Sequence, residues 1–220
     1  MAAQQPPAAA QSARETAPLD LTGSWVSVVT EDWRFRMVTP PKGDYSSVPI
    51  NNEGRRVADA WDPANDEATG NQCKPYGAPG IMRIPGRLHI TWENENTLRI
   101  DTDAGMQIRR LQFGEPAPLQ GEREWQGHSV ASWEGRGSLK VITTDIRPGY
   151  LRKNGVPYSE NAVMTEYFDR HSDYGMEWFT VTTIIEDPKY LTQPFITSTH
   201  FRRELDGSRW SPTPCETTRK

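Results

Sequence analysis

The sequence predicts an all-β protein that forms a closed antiparallel barrel or a sandwich. From residue 81 onward, short segments rich in β-branched and aromatic residues alternate with turn residues. Only residues 51–61 carry apolar side chains at helical spacing, with Asn51 or Asn52 available as the cap. Many short strands at regular spacing, with a single short helix, are typical of barrels and sandwiches.

The elements can be assigned in chain order. Residues 21–29 and 33–38 predict a first hairpin, with Glu31 and Asp32 at its turn. A Pro-rich link (39–49), the helix and a long loop (62–80) follow. The remaining strands are predicted at 81–86, 87–94, 97–103, 106–113, 128–135, 138–145, 162–170, 177–187 and 194–204.

Length and composition limit the organisation and the partners. The 220 residues predict a disordered leader (1–18) rich in Ala, Gln and Pro, one barrel domain (19–205) and a C-terminal tail (206–220). A net charge of -4 favours neither nucleic acid nor anionic lipid as a partner. The mean hydropathy is -0.74, and the chain has no apolar run near the ~18 residues of a membrane span. The sequence does not indicate an oligomeric state.

The leader and the two cysteines bear on the compartment. The leader composition is typical of a tether before an exported domain, so we expect a periplasmic or secreted protein whose signal peptide is absent from this chain. Cys73 and Cys215 are compatible with one long-range disulfide or with two free thiols. Neither has a Cys or His neighbour at the spacing of a zinc site.

Two features at the ends of the barrel segment favour a barrel over a sandwich. Gly23-Ser24-Trp25 lies on the first strand, and Arg202-Arg203 lies on the last. This pair resembles the calycin pattern of lipocalins, avidins and fatty-acid-binding proteins. The resemblance implies a lipocalin-like barrel in which the tryptophan packs beneath a late-strand arginine at the closed end. The alternative is that Trp25 is an ordinary core aromatic.

The second half is similar to a group of predicted exported bacterial proteins. That group shares a W-x-G-H-S-V-x-x-W-E-G segment, then G-x-P-x-S-E, V-x-E-x-F and D-P-x-x-Y-x-x-P. The matching positions here are Trp125, Gly127 to Val130, Trp133 to Gly135, Thr143 to Asp145, Gly155, Pro157, Ser159, Glu160, Val163, Thr165 to Phe168, Asp187, Pro188, Tyr190 and Pro194. The resemblance implies no particular reaction or cofactor. The position before Ser159, often His in the group, is Tyr158 here.

Candidate catalytic residues come from one strand and one loop. Alternation along residues 125–134 places His128 and Glu134 on one face, which suits either proton transfer inside a barrel or an ordinary exposed polar face. We expect His128 to act as a base, oriented by Glu134 or Glu166. The loop 147–161 either carries functional side chains at the mouth of the barrel or is a solvated turn. It adds three further catalytic candidates, Arg147, Tyr158 and Glu160. The candidate substrate-binding residues are Tyr150, Lys153, Asn161, Trp133 and His200.

The predicted function is cofactor-free acid/base catalysis, as a lyase, isomerase, hydratase or cyclase, on an apolar or aromatic small molecule bound in the barrel. One alternative is a non-catalytic extracytoplasmic carrier of hydrophobic ligands. Another is an interaction protein with a filled barrel that uses the loop 62–80. The chain contains no HExxH, dinucleotide-binding, Walker or G-x-S-x-G motif, so no metal or cofactor is expected.

Overall fold

The computed structural model describes residues 11–115, 121–135 and 137–218. In this part of the chain the strands are β1 (Gly23–Val28), β2 (Arg87–Asn94), β3 (Thr97–Thr102), β4 (Ile108–Phe113), β5 (His128–Glu134), β6 (Ser138–Thr144), β7 (Gly149–Arg152), β8 (Val156–Tyr158), β9 (Val163–Asp173), β10 (Met176–Glu186) and β11 (Phe195–Arg203). The helices are α1 (Trp33–Arg36), α2 (Asn52–Asp59), α3 (Pro63–Ala68) and α4 (Ala78–Ile81), with a 3-10 helix over Lys74–Tyr76.

Nine of these strands close into one barrel in the order β1-β11-β10-β9-β6-β5-β4-β3-β2. The predicted all-β barrel is therefore confirmed. Neighbouring strands pair antiparallel except β4 and β5, which run parallel. Strands β7 and β8 form a separate hairpin outside the barrel.

The predicted first hairpin is wrong in its second strand. Residues 33–36 form the helix α1, and both edges of β1 are already occupied, by β2 on one side and β11 on the other. No edge of β1 is left for a hairpin partner. The Arg36 side chain instead turns into the protein, where its Nε donates to the carbonyl of Arg83 at 2.8 Å.

The segment between the first two barrel strands is more helical than expected. The predicted helix is confirmed as α2, with the Asn51 side chain accepting from the Gly54 amide at 2.9 Å. The predicted loop 62–80 contains α3, the 3-10 helix and α4, and the predicted strand 81–86 is absent. Proline stands in the first turn of α3 and α4, a position that favours helix initiation.

Side chains that point into the barrel form the larger of two hydrophobic clusters, here called the barrel cluster. Side chains alternate across each strand, so one residue in two contributes. Its aromatic centre is Phe179, which lies 4.8 Å from the ring of Trp25 and 4.8 Å from that of Phe201. These fully or almost fully buried rings occupy the interior along much of its length.

The first and last barrel strands meet as the sequence predicts. Trp25 is 0% exposed and lies opposite Arg203 in the register of β1 and β11. The Arg203 guanidinium carbon lies 5.5 Å from the centroid of the Trp25 ring, a cation–π contact. Gly23 allows this approach, because a Cβ there would lie 3.1 Å from Arg203 Nη2.

A second hydrophobic cluster, the cap cluster, covers the opposite end of the barrel. It combines Met164, Ile185 and Phe195 from the barrel strands with residues of α2, α4 and the β7–β8 hairpin. The solvated-turn interpretation of residues 147–161 is therefore wrong. Strands β7 and β8 are mostly buried, because their apolar side chains complete the cap.

Both terminal segments contact the barrel where they are described. Residues 1–10 of the predicted leader and residues 219–220 of the predicted tail lie outside the described residues. Ala13 accepts a hydrogen bond from Trp133 Nε1 at 2.9 Å and donates its amide to Asn96 Oδ1 at 2.9 Å. In the tail, the Thr213 amide donates to the carbonyl of Asp103 at 2.8 Å.

Cys73 and Cys215 form a disulfide, which decides between the two alternatives that the sequence left open. The bond joins the segment before the 3-10 helix to the C-terminal tail, across a sequence separation of 142 residues. A cross-link that closes so long a loop restricts the unfolded chain strongly.

We expect the double variant Cys73→Ala/Cys215→Ala to lose about 5 kcal/mol of unfolding free energy, from the loop-closure entropy. Urea unfolding of the oxidised wild type and the variant measures the difference. Reductant should lower the wild-type midpoint to that of the variant and leave the variant unchanged. A wild-type midpoint that ignores reductant would contradict the stabilising role.

Candidate functional site

His128, the predicted base, lies on the outer face of β5. Ser129 and Ala131 are the buried residues of this strand, so the alternation places His128 on the side away from the barrel interior. Its Nε2 is buried and has no hydrogen-bond partner among the described residues. Of the two alternatives for this strand face, the structure therefore supports the outer one and not an interior proton-transfer site.

The two carboxylates predicted to orient His128 lie elsewhere. Glu134 shares its face but stands six residues further along the strand, about 20 Å away at ~3.3 Å per residue, and is exposed beside Lys140 Nζ at 3.6 Å. Glu166 points into the barrel interior and is fully buried. The structure brings neither carboxylate to His128, because strand register and alternation separate all three groups.

Glu166 forms an ion pair with Arg109 across the barrel interior. Both side chains are 0% exposed, and the two contacts measure 2.5 Å (Nη2 to Oε2) and 3.2 Å (Nη1 to Oε1). Strands β4 and β9 are not neighbours, since β5 and β6 stand between them. The pair therefore cross-links the barrel from inside, and the Glu166 carboxylate is occupied by a structural partner.

The tyrosines of the loop 147–161 are both turned into the protein, but only Tyr150 has a hydrogen-bond partner for its hydroxyl among the described residues. Tyr158 is almost fully buried, and its hydroxyl oxygen lies close to the backbone of Gly77 and Gly149. A Cβ added at Gly77 would lie 2.0 Å from this oxygen, and a Cβ added at Gly149 would lie 2.6 Å from it. Burial raises the pKa of Tyr158. Tyr150 donates to Asp66 Oδ2 at 2.7 Å, and burial and this carboxylate raise its pKa. Among the described residues, no hydrogen bond joins either hydroxyl to His128.

The charged and polar residues of the same loop make separate surface contacts. Arg147 is exposed, stacks over Trp125 at 4.2 Å and bonds Asn71 at 3.2 Å. Glu160 pairs with Lys189 at 3.2 Å, and backbone and Lys189 hydrogen bonds lower its pKa. The predicted substrate-binding residue Asn161 is exposed. The loop therefore does not gather its polar groups at one point.

Two other predicted binding residues lie far apart. Trp133 packs against Phe113 at the end of the barrel away from the cap, with ring centroids 4.9 Å apart. His200 lies on the outer face of β11, where Nδ1 is 2.9 Å from Thr180 Oγ1 and Nε2 is 3.6 Å from Glu31 Oε2. Neither contacts the loop 147–161 through a hydrogen bond in the described residues.

One predicted binding residue, Lys153, does line a concave site. A cleft of about 510 Å³, here called the end cleft, lies at the capped end of the barrel. It is bordered by the end of β1, the start of β2, the end of β3 and the C-terminal tail. Lys153 Nζ lies 2.8 Å from Tyr76 Oη, and the Glu216 amide donates to the same hydroxyl at 3.1 Å. The apolar part of the lining includes Val26, Ile84, Pro85 and Ala104. The cleft thus combines apolar walls with a fixed polar pair.

Asp103 supplies a carboxylate to the end cleft. Its Oδ1 accepts from the amides of Arg87 and Ala104, both at 2.7 Å. Burial raises the pKa of Asp103 despite these bonds. A buried carboxylate with a raised pKa in a cleft is typical of a group that binds or transfers a proton.

No protein-family model and no curated protein matches the chain. Among the described residues, no helix has the length and apolar character needed to cross a membrane. The same residues hold no group of three or more His, Cys, Asp or Glu side chains placed to bind a metal ion.

Sequence reasoning missed Tyr76 and Asp103. Tyr76 falls in the segment 62–80, which composition predicts as a loop, and Asp103 falls at the end of a predicted strand. Both reach the end cleft only because the C-terminal tail crosses this end of the barrel beside them. The pairing of Cys73 with Cys215 was the one sequence signal that connects the tail to this region.

The Arg109–Glu166 pair yields a stability prediction. Either single variant, Arg109→Met or Glu166→Gln, should lose about 3–5 kcal/mol, because it leaves one buried charge without a partner. The double variant Arg109→Met/Glu166→Leu should recover most of this loss. Urea unfolding measures all four proteins. Single variants as stable as the wild type would contradict the structural role.

Proposed function

We propose that this protein is a lipocalin-like carrier that binds a small apolar or aromatic molecule in the end cleft. The observation that carries the proposal is the contrast between two spaces. The barrel interior is occupied by packed side chains and a buried ion pair, whereas the end cleft of about 510 Å³ falls within the ~300–1,000 Å³ range of ligand sites.

The lipocalin-like assignment is supported by the contact of Trp25 with Arg203 inside a closed barrel. This barrel has nine strands and one parallel pair, β4 and β5, whereas lipocalin barrels have eight strands. The ligand position that we propose, at the capped end, also differs from the interior site expected from sequence. The packed interior agrees with the interaction-protein alternative, but the end cleft favours a small molecule.

Export to the periplasm or the outside of the cell is part of the proposal. The Cys73–Cys215 disulfide supports it, because disulfides persist in oxidising compartments and are rare in the cytosol. The leader composition points the same way.

Binding can be tested with the uncharged fluorescent probe N-phenyl-1-naphthylamine. We expect saturable binding to the oxidised protein and at least a tenfold weaker affinity in Ala104→Phe, because the added ring occupies the cleft. Ala68→Phe, on the exposed surface of α3, is the matched control and should keep the wild-type affinity. Equal affinity in all three proteins would place the probe elsewhere and refute the cleft as the site.

Acid/base catalysis in the same cleft is the second candidate, and Asp103 favours it. The two backbone bonds go to Oδ1, which leaves Oδ2 as the proton acceptor, and the raised pKa makes the carboxylate a stronger base. The Tyr76–Lys153 pair would polarise the substrate beside it. In this candidate Asp103 replaces His128 as the base.

The probe reaction is the base-promoted ring opening of 5-nitrobenzisoxazole. A base removes the C3 proton, the N–O bond breaks, and a cyanophenolate forms. Asp103→Asn should lower the rate at least tenfold. The wild-type rate should rise with pH through the Asp103 pKa, which lies above 3.8, since only the ionised carboxylate accepts the proton. Loss of rate in His128→Ala but not in Asp103→Asn would support the sequence-based assignment instead.

A further inference from the structure

Three arginines meet beneath the surface of the cap. Arg36 on α1, Arg83 after α4 and Arg152 on β7 are 5%, 6% and 4% exposed. Together with Lys153 they line a small cavity of about 30 Å³, here called the arginine pocket. The other lining residues are apolar or glycine, and no acidic residue is among the lining residues that the structure describes. Buried arginines are rare unless they are paired.

Two of the three arginines have a carboxylate partner. Arg36 Nη1 pairs with Glu31, and Arg83 Nη2 pairs with Asp32 Oδ2 at 2.9 Å. Arg152 differs, because no carboxylate of the described residues lies within ion-pair distance of it. Its Nη1 donates to the carbonyl of Ser46 at 2.6 Å, and its guanidinium stacks on the Phe35 ring at 4.1 Å. Arg152 is thus a buried cation without a counter-ion from this part of the chain.

Four buried nitrogen atoms of these side chains lack a hydrogen-bond partner among the described residues. They are Arg36 Nη2, Arg83 Nη1, Arg152 Nε and Arg152 Nη2. Nε and Nη2 lie on one edge of a guanidinium, the edge that binds both oxygens of a carboxylate. Burial and the neighbouring Arg83 lower the pKa of Arg152 to about 10. The surroundings therefore disfavour the charged form of the Arg152 guanidinium. An anion would satisfy the donors and neutralise the charge.

The size of the pocket limits what can enter. A water molecule needs ~10–15 Å³ of such space, so about 30 Å³ accommodates two oxygen atoms and excludes a ring. Ile84 and Lys153 line both this pocket and the end cleft. The two spaces therefore share two lining residues and are neighbours at the capped end of the barrel.

We propose that the arginine pocket binds the carboxylate of the ligand through Arg152, assisted by Arg36 and Arg83, so that the ligand class is an apolar or aromatic carboxylic acid. This rests on the proposed function for the position of the apolar body. The carboxylate accepts from Arg152 Nε and Nη2 along one edge. Arg36 and Arg83, each with one nitrogen that has no hydrogen-bond partner among the described residues, also line the pocket.

The test compares 1-naphthoate with its uncharged analogue 1-naphthamide by isothermal titration calorimetry. The wild type should bind the carboxylate at least tenfold more tightly than the amide. Arg152→Met should bind both with the affinity that the wild type has for the amide. Arg56→Met, on the exposed face of α2, is the matched control and should keep the preference. Equal affinity of the wild type for both compounds, or a preference that survives in Arg152→Met, would overturn the proposal.

A thermal melt separates ligand binding from a purely structural role of Arg152. Removal of a buried cation without a partner should leave the Tm of the ligand-free Arg152→Met unchanged or higher, whereas loss of a structural contact would lower it. Acetate should raise the wild-type Tm more than chloride at equal ionic strength, and Arg152→Met should lose this difference. A lower Tm of Arg152→Met, together with no acetate effect on the wild type, would make Arg152 structural and overturn the proposal.

These measurements also distinguish the two proposals from each other. If the uncharged naphthylamine probe binds in the end cleft and naphthoate shows no preference, the carboxylate proposal fails while the carrier proposal stands. If acetate stabilises the wild type through Arg152 but no apolar probe binds, the pocket binds an anion and the carrier proposal fails.

Discussion

The ion pair of Arg109 with Glu166 determines what the barrel can contain. On β9, Glu166 is the next inward-facing residue after Met164, which lies beside Ile185 and Phe195 in the cap cluster. The barrel cluster lies on the other side of the ion pair. A charged pair between two hydrophobic clusters is stable only when both partners remain in place, since either charge alone is costly to bury. The interior is therefore a packed and cross-linked core, and the end cleft lies at the capped end of the barrel instead.

Several elements outside the barrel contribute polar groups to the end cleft and the arginine pocket. Tyr76 comes from the 3-10 helix, Lys153 from the hairpin turn and Arg36 from α1. The barrel holds these groups in place, and its own wall adds Asp103 at the end of β3.

Strand pattern allowed the fold to be predicted, while the site depended on contacts that no local pattern encodes. Alternation of apolar residues located all nine barrel strands, and the Trp25 and Arg203 positions indicated how the barrel closes. Alternation alone does not say which face of a strand is inside, so the sequence left open whether His128 faces the barrel interior or the outside. Arg36, Arg83 and Arg152 are far apart in sequence, and charged residues in polar segments are ordinarily expected at the surface. Only tertiary packing brings them together.

The disulfide has a consequence for how the protein matures. Cys73 directly precedes the helix that carries Tyr76, and Cys215 directly precedes Glu216, whose amide bonds the Tyr76 hydroxyl. The cross-link therefore fastens the tail to the segment that carries Tyr76, a lining residue of the end cleft. While both thiols are reduced, that part of the lining is held only by hydrogen bonds and packing. In a carrier of the kind proposed above, a newly made chain would therefore reach its full ligand affinity only once the bond has formed, and loading before that stage would be suppressed.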